Sequence, residues 1–280
     1  MNFSDIKQLN LMSKEAGLYI IATPIGNLGD ISLRALSALN SADLILCEDT
    51  RTTKNLLGKY GISGKLDSYN DVNGGKKRPA ILEKLQQGQM IALVSDAGTP
   101  LISDPGYKLV SEAANLGIKI IPLPGASALI AALSCSGLPT DNFTFMGFYN
   151  KKKLKKSANS DILIFYESAK RLVKTLEELQ TKFGDCNSCI AREITKIYEE
   201  FRRGKLSENI EYYKNHPPKG EIVIIIEAEN IESASDEDIE KMLIKKLQTQ
   251  KLGQASEEIA TELNISKKKV YQIGLKLKNH

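Results

Sequence analysis

The fold is decided by the stretch Val94-Ser95-Asp96-Ala97-Gly98-Thr99-Pro100-Leu101-Ile102-Ser103-Asp104-Pro105-Gly106. The residues just before it, Met90 to Leu93, are apolar without alternation, which is typical of a strand buried on both faces. The long loop that follows is rich in glycine, proline and aspartate, so its backbone is stiff but open to a ligand. Because ligands of open α/β sheets bind beyond the carboxyl ends of the strands, we expect this loop to line a binding site. The alternative is an ordinary strand-to-helix turn, since the same residue types dominate turns.

Apolar runs alternate with helical patterns around this stretch, and this order predicts a mostly parallel α/β sheet. Predicted strands cover residues 18–22, 44–47, 90–94 and 118–121. Predicted helices follow a cap at Ser32, cover residues 53–60 and 107–115, and begin at Pro79, since proline suits a first helical turn. The loop from Thr23 to Asp30 matches a dinucleotide-binding loop poorly, because it has Gly26-x-x-Gly29 in place of G-x-G-x-x-G.

The second half of the chain has the pattern of a mixed sheet. Predicted strands cover residues 143–148, 162–166, 190–192 and 221–227, and a helix is predicted near 171–183. Between the first two of these strands lies the lysine run, Lys151-Lys152-Lys153-Leu154-Lys155-Lys156. Such a run is either a solvated loop or a surface that contacts nucleic-acid phosphates.

The end of the chain is predicted to be helical after a polar linker at residues 231–235. Ser235 precedes three acidic residues, which suit the positive end of a helix dipole. Residues 255–263 and 267–277 then form a helix-turn-helix pattern in which Ala260 and Val270 pack across the turn. The second helix carries Lys267, Lys268, Lys269, Lys276 and Lys278. This pattern does not require DNA binding, and a general nucleic-acid or partner-docking role fits it as well.

Length and composition indicate several structural units in a protein of 280 residues with a net charge of only +4. We predict a flexible arm (1–16), an N-terminal α/β domain (17–125), a second α/β domain (126–230) and a C-terminal helical appendage (231–280). Neither a signal-peptide pattern nor an apolar run of about 18 residues occurs, which predicts a cytoplasmic protein without membrane contact. The four cysteines do not have the spacing of a four-ligand zinc site, and no metal is expected.

Several short motifs occur in order along the chain. They are residues 22–30 (ATPIGNLGD), 47–51 (CEDTR), 94–106, 124–128 (PGASA), 136–139 (SGLP), 165–168 (FYES) and 191–196 (AREITK). Together they resemble the tetrapyrrole methylase superfamily, and within it the branch that 2′-O-methylates a cytidine of small-subunit ribosomal RNA. The resemblance runs from about Leu18 to Glu227, and the helical tail is similar to the C-terminal appendage of that branch.

This resemblance implies two α/β domains with S-adenosylmethionine in the cleft between them, and commonly a homodimer. The implied partner is small-subunit ribosomal RNA or the assembled small ribosomal subunit. The implied cofactor contacts are Pro24, Ala97, Gly98, Thr99, Ile102, Ser127, Ala128, Glu167 and Ile194. They agree with the site expected at the central loop, whose backbone groups suit a ligand with an adenosine and a charged tail.

The chain departs from that branch in two places. The segment between Phe148 and Phe165 is shorter than in the branch, which often has a basic helix there, and the lysine run stands in its place. Ala169-Lys170 follows Ser168 where a proline-histidine pair is common. No histidine role is therefore expected at that position.

Methylation of a ribose hydroxyl requires that the hydroxyl be aligned with the methyl group and lose its proton. The candidate bases are Glu48, Asp49, Asp104 and Glu193, with Lys196 as a neutral base or as a donor that orients the hydroxyl. We hypothesise that Glu48 or Asp49 orients or deprotonates the hydroxyl while Arg51 clamps a phosphate. Glu48, Asp49 and Asp104 are expected to converge on one cleft, where mutual repulsion would raise one pKa. The alternative is that Glu48, Asp49 and Arg51 form only a salt-bridged strand end.

Two other functions stay open at this point. A small-molecule methylase acting on a tetrapyrrole would have a deep apolar cleft without basic surroundings. A ligand-sensing regulator would use the helix-turn-helix to bind duplex DNA, under the control of S-adenosylmethionine.

Overall fold

The computed structural model describes residues 14–70, 72–152, 154, 162–228, 236–263 and 266–278. Its strands form two five-stranded sheets, one within residues 17–123 and one within residues 143–227. Most of the predicted arm, three lysines of the lysine run and the predicted linker lie outside the described residues. The domain boundaries predicted at residues 125 and 230 stay predictions.

The first sheet is parallel throughout, with the strand order β3-β2-β4-β1-β5. Its strands are β1 (Gly17–Ile21), β2 (Leu44–Cys47), β3 (Leu66–Ser68), β4 (Met90–Leu93) and β5 (Ile120–Leu123). The helices of this part are α1 (Leu33–Ser41), α2 (Thr50–Lys59), α3 (Gly74–Gln86) and α4 (Tyr107–Asn115). Every residue of β2 and β4 is buried, as their unbroken apolar runs predict.

The chain leaves the neighbouring strands β1 and β4 in opposite directions. From β1 it continues through α1 to β2 on one side, and from β4 through α4 to β5 on the other. Such a reversal opens a crevice beyond the carboxyl ends of the two strands. The stretch Val94–Gly106 follows β4 and therefore lies at this crevice.

The helix predicted to begin at Pro79 begins at Gly74 instead. Asn73 Oδ1 accepts a hydrogen bond from the Asn70 amide at 2.9 Å, and Asn70 Oδ1 accepts one from the Asn73 amide at 3.1 Å. This reciprocal pair forms a turn that starts the helix upstream of the proline. Pro79 lies inside α3, where its side chain is exposed.

Strand β5 covers residues 120–123, whereas the prediction was 118–121. The amide of Ile118 still bonds to the carbonyl of Ala113 at 3.0 Å, so this residue belongs to the turn that follows α4. Pro122 is accommodated because β5 is an edge strand of the sheet. The short strand β3 was not predicted, since its three residues contain no apolar run.

The second sheet is mixed, as predicted, with the strand order β6-β7-β10-β8-β9. Its strands are β6 (Phe143–Phe148), β7 (Ile162–Ser168), β8 (Asn187–Arg192), β9 (Glu200–Lys205) and β10 (Glu221–Glu227). Its helices are α5 (Ala128–Ser134), α6 (Leu172–Phe183) and α7 (Leu206–Asn215). Helices α6 and α7 pack on one face of the sheet and α5 on the other. The prediction missed β9, α5 and α7.

Three helices, α8 (Asp236–Leu247), α9 (Leu252–Glu262) and α10 (Lys267–Lys278), form the C-terminal part. Ala260 and Val270 are both buried in the core that these helices share, which confirms the predicted packing across the turn. Within the described ranges, no helix is both long and apolar enough to cross a membrane.

Candidate active site

Backbone hydrogen bonds join two loops beyond the ends of β1 and β4. Thr23 and Gly98 exchange both of their N–H···O bonds, at 2.9 and 3.0 Å. Thr99 Oγ1 donates to the carbonyl of Ala126 at 3.0 Å. The central loop is therefore fixed both to the loop after β1 and to the segment that leads into α5.

A cavity of about 300 Å³ lies between these loops and the second sheet. The first half of the chain lines it with Ile25, Glu48, Asp96, Ala97, Gly98, Thr99, Ile102, Ser103 and Asp104. The second half contributes Ser127, Ala128, Phe148, Tyr166, Glu167, Ile194, Glu221, Ile222 and Val223. Its size falls at the lower end of the range for small-molecule sites, roughly 300–1,000 Å³.

Most of the residues that the sequence predicted as cofactor contacts line this cavity. They are Ala97, Gly98, Thr99, Ile102, Ser127, Ala128, Glu167 and Ile194, whereas Pro24 is absent from the lining although its neighbour Ile25 is part of it. Of the predicted catalytic residues, Glu48 and Asp104 line the cavity, and Asp49, Arg51 and Lys196 do not. The roles assigned to these residues stay predictions.

Sequence reasoning missed Phe148 of β6, Tyr166 of β7 and the lining residues of β10, although it did predict Glu167 of β7. Phe148 ends β6, where Gly147 has a φ of +67° and the pairing with β7 shifts. The ring of Tyr166 meets those of Phe145 and Phe148 edge to face, with centroids 4.9 and 5.8 Å apart. Tyr166 belongs to the FYES motif, so the sequence contained a signal that could have identified it. The apolar run of β10 contains no such motif.

Strained backbone is concentrated in two loops beside the cavity. The non-glycine residues with positive φ in the described part of the chain are Leu101 (72°), Ser103 (67°), Glu193 (49°) and Thr195 (66°). Each such conformation costs roughly 1–3 kcal/mol and persists only where its surroundings enforce it, most often at functional sites. The loop of residues 193–199 also contacts the loop after β1, because the Asn27 amide donates to Thr195 Oγ1 at 3.0 Å.

Asp104 has the electrostatic environment of a proton acceptor. Burial raises the pKa of its carboxyl, a hydrogen bond with Ser95 opposes the shift, and the nearby charge of Asp96 adds to it. One carboxyl in the cleft thus has a raised pKa, but the main cause is burial and the interacting carboxylate is Asp96, in place of the predicted repulsion among Glu48, Asp49 and Asp104. A base with a raised pKa accepts a proton more readily near neutral pH.

Asp49 has the environment of a weak proton acceptor, so of the two residues in the sequence hypothesis the geometry favours Glu48 as the base. Its carboxylate accepts the Arg51 amide at 2.8 Å as the N-cap of α2 and pairs with the Arg51 guanidinium at 2.7 Å. The hydrogen bonds from Arg51 hold the pKa of Asp49 at about 2. A carboxylate so stabilised takes up a proton only weakly. Asp49 and Arg51 form an ion pair after β2, as in the alternative interpretation, whereas Glu48, the third residue of that interpretation, lines the cavity.

Two acidic partners favour the charged form of Lys196, which suits the predicted role of an orienting donor better than that of a neutral base. Its ammonium donates to Glu193 and to Glu221, each at 2.8 Å. Burial opposes the positive charge, but these two hydrogen bonds outweigh it and raise the pKa of Lys196. Lys196 in turn lowers the pKa of Glu193, against the effect of burial, so Glu193 is also a weak base.

The side chain of Glu167 forms its hydrogen bonds with residues at the end of β7 and in the helical segment that follows. Its side chain is fully buried, and its carboxylate accepts hydrogen bonds from the Ser168 amide (2.7 Å), Arg171 Nε (2.8 Å) and Thr175 Oγ1 (2.6 Å). These three donors occupy the carboxylate oxygens. We therefore expect Glu167 to contact a ligand in the cavity through its backbone and not through its side chain.

Replacing Gly98 with valine should abolish ligand binding in the cavity, but we expect it to destabilise the local fold as well. Gly98 has a φ of +80°, and an added Cβ would lie 3.4 Å from Ile25. A β-branched residue in this conformation is strained, and the bridge to Thr23 would weaken. Calorimetric titration together with thermal denaturation measures both losses. Unchanged affinity would remove this turn from the site.

The chain therefore has the architecture of a two-sheet α/β protein with a ligand-sized cavity at the switch point of its parallel sheet. The chain belongs to the Tetrapyrrole (Corrin/Porphyrin) Methylases, a family that residues 17–209 match. This confirms the superfamily inferred from the motifs, and the chain is thereby a methylase.

The chain is similar over nearly its full length to curated relatives, and it shares its fold with solved structures. It is 43% identical over 278 residues to "Ribosomal RNA small subunit methyltransferase I" of Rickettsia prowazekii, covering 95% of this chain and 99% of the relative. The protein of the same name from Synechocystis sp. is 44% identical over 273 residues, covering 93% and 98%. The uroporphyrin-III C-methyl transferase of Thermus thermophilus, complexed with S-adenyl homocysteine, shares the fold with a TM-score of 0.54 and 18% identity, covering 75% of this chain and 96% of that chain.

Proposed function

We propose that this chain is an S-adenosylmethionine-dependent methyltransferase that 2′-O-methylates a cytidine ribose in small-subunit ribosomal RNA. The observation that carries the proposal is the match, over nearly the full length of both chains, to proteins named for methylation of this RNA. The choice of cytidine and of the 2′-oxygen is supported by the motifs of the rRNA branch.

The residues of the cavity fit S-adenosylmethionine. Ile25, Ile102 and Ile194 offer apolar surface to an adenine ring, while Asp96 and Asp104 suit the positive charges of a sulfonium and an ammonium. Ser127 makes no capping bond to α5, so its hydroxyl is available to a ligand. The related structure that contains S-adenyl homocysteine supports the same assignment.

When bound, S-adenosylmethionine supplies an electrophilic methyl group with a neutral leaving group. Asp104 is then the residue best suited to accept the hydroxyl proton, with Glu48 as the second candidate in the lining. Lys196, as an ammonium, is suited to orient a hydroxyl or to meet a phosphate at the edge of the site. Arg51 is largely exposed and, although paired with Asp49, can still contact a phosphate.

The lysine run and the C-terminal helices are proposed to hold RNA through its phosphates. Lys151 and Lys152 are exposed, whereas Leu154 is buried in the core of the second sheet and its carbonyl accepts Lys182 Nζ at 2.6 Å. The run is thus anchored at its centre. On α10, Lys268 and Lys276 are exposed, while Lys267 and Lys269 pair with Glu257 and Asp236.

Changing Lys151, Lys152, Lys153, Lys155 and Lys156 to glutamine should weaken RNA binding and flatten its salt dependence. Each lost phosphate contact on single-stranded RNA lowers the slope of log K against log salt by about 0.7. Filter binding at several salt concentrations measures this slope. The variant Lys59→Gln/Lys65→Gln removes exposed lysines elsewhere and should leave the slope unchanged. An unaltered slope in the first variant would mean that the run is only a solvated loop.

A homodimer in the cytoplasm is also part of the proposal. Ile197 and Tyr198 are 95% and 71% exposed at the tip of the loop of residues 193–199. Two neighbouring apolar side chains that are exposed in this way support a contact with another protein. Analytical ultracentrifugation over a range of concentrations measures the oligomeric state.

Methyl incorporation from labelled S-adenosylmethionine tests the proposed function directly. Undermethylated small ribosomal subunits, free ribosomal RNA, a tetrapyrrole and duplex DNA are compared side by side. Incorporation at a cytidine ribose of the particle or the RNA is the expected result. Methylation of the tetrapyrrole alone would identify the small-molecule alternative, and DNA binding without any methylation would identify the regulator.

A further inference from the structure

The cavity is unusually acidic for a site that is proposed to receive RNA. Its lining includes Glu48, Asp96, Asp104, Glu167 and Glu221, and among the described lining residues there is no lysine, arginine or histidine. Glu167 pairs with Arg171, and Glu221 shares Lys196 with Glu193, so both of these carboxylates have a cationic partner. Within the described chain, neither Asp96 nor Asp104 forms an ion pair with a lysine or arginine.

A ribose hydroxyl cannot enter this cavity without bringing its own phosphates close to Asp96 and Asp104. Like charges repel, and at physiological salt the interaction is screened only beyond about 8 Å. Burial reduces that screening further, and Asp104 is partly buried. With the cavity empty of a cation, the carboxylates therefore oppose the approach of RNA.

We infer that Asp96 and Asp104 make the affinity for RNA depend on the charge of the ligand in the cavity, so that the cofactor binds before the RNA. The inference rests on the proposed function. S-adenosylmethionine carries one net positive charge at neutral pH and offsets the carboxylates. S-adenosylhomocysteine lacks the sulfonium and is neutral overall, so it leaves their repulsion in place.

The same carboxylates favour release of the methylated RNA. During one turnover the carbon–sulfur bond is exchanged for a carbon–oxygen bond, and the bonding electron pair stays on sulfur. The hydroxyl proton passes to a carboxylate and from there to water. After the proton has left, the filled cavity holds one positive charge fewer than before, and phosphates at its mouth are held less tightly.

The first test compares ligands of different charge on the wild-type protein. The affinity for undermethylated small ribosomal subunits is measured by filter binding with no ligand, with S-adenosylhomocysteine, and with sinefungin, whose amine is cationic but transfers no methyl group. Sinefungin should tighten RNA binding relative to S-adenosylhomocysteine by a factor between about two and thirty, as expected for unit charges about 8 Å apart. By thermodynamic reciprocity, the RNA should tighten sinefungin binding by the same factor. Equal RNA affinity with both ligands overturns the inference.

The second test removes one of the charges. Asp96→Asn should tighten RNA binding by the ligand-free protein severalfold and weaken the binding of sinefungin more than that of S-adenosylhomocysteine. Glu83→Gln, on the exposed side of α3, changes the net charge equally and should do neither. If the two variants have the same affinities for RNA and for the ligands, the charge of Asp96 does not control RNA binding and the inference is wrong. Should the wild-type protein methylate no ribosomal substrate, the proposed function itself fails, whereas methylation with ligand-independent RNA affinity defeats only this inference.

Discussion

Asp104→Asn should lower the single-turnover rate of RNA methylation by about 10²–10⁴-fold, the usual contribution of a general base. Asparagine keeps the shape of the side chain but cannot accept the hydroxyl proton. Cofactor affinity should fall only severalfold, because the rest of the cavity lining is retained. A rapid-quench measurement with saturating S-adenosylmethionine separates the chemical step from binding.

Asp49→Asn is the matched control for that experiment. Asparagine caps a helix about as well as aspartate, so α2 keeps its start while the pairing with Arg51 is weakened. The structure predicts a change in rate of about twofold or less. Glu48→Gln is the third variant. A large loss of the single-turnover rate in Glu48→Gln, together with full activity of Asp104→Asn, would identify Glu48 as the base. Small effects at both residues would indicate that the enzyme works by alignment alone.

The pH dependence of the same rate has a defined sign. Burial raises the pKa of Asp104, and the carboxylate is the form that accepts a proton. The single-turnover rate should therefore fall as the pH drops through this raised pKa, at a higher pH than for an ordinary aspartate near 3.9. In Asp104→Asn this acid limb should disappear.

Sequence patterns predicted the parallel sheet well because its strands are buried on both faces. The unbroken apolar runs of β2 and β4 predict buried parallel strands. The loop after β4 must then lie at the edge of the sheet where the carboxyl ends of these strands meet. The elements that were missed lack such patterns. Strand β9, for example, is a charged edge strand, so its position depends on pairing with β8 and not on its own composition.

The site was predictable to the extent that it lies on loops with distinctive residues. The turn Ala97–Thr99 and Asp104 belong to such a loop, whereas Ile222 and Val223 are part of a plain apolar strand. Sequence also could not decide which carboxylate pairs with a cation. Glu48 and Asp49 are neighbours in the chain, but only Glu48 lines the cavity, because the side chain of Asp49 caps α2.

Glu167→Ala should destabilise the fold by about 3 kcal/mol, which is a large share of the 5–15 kcal/mol that stabilises a typical protein. The carboxylate of Glu167 is fully buried and receives donors from Ser168, Arg171 and Thr175. Its removal leaves the buried Thr175 hydroxyl and the Ser168 amide without their acceptor. Arg171 is half exposed and can turn toward water, so its part of the loss is smaller.

Glu177→Ala provides the comparison. Glu177 lies on α6, which packs against the second sheet, and its carboxylate pairs with a basic residue, Lys214, at 2.7 Å. Both partners of that pair are about half exposed, and exposed ion pairs contribute only about 0–1 kcal/mol. Urea denaturation of the two variants measures the difference. If the Glu167→Ala variant folds, it should still bind S-adenosylmethionine, because the hydrogen bonds of the Glu167 side chain are made to other residues of the protein. A variant of full stability that had lost cofactor affinity would instead show that Glu167 contacts the cofactor directly, as its motif implied.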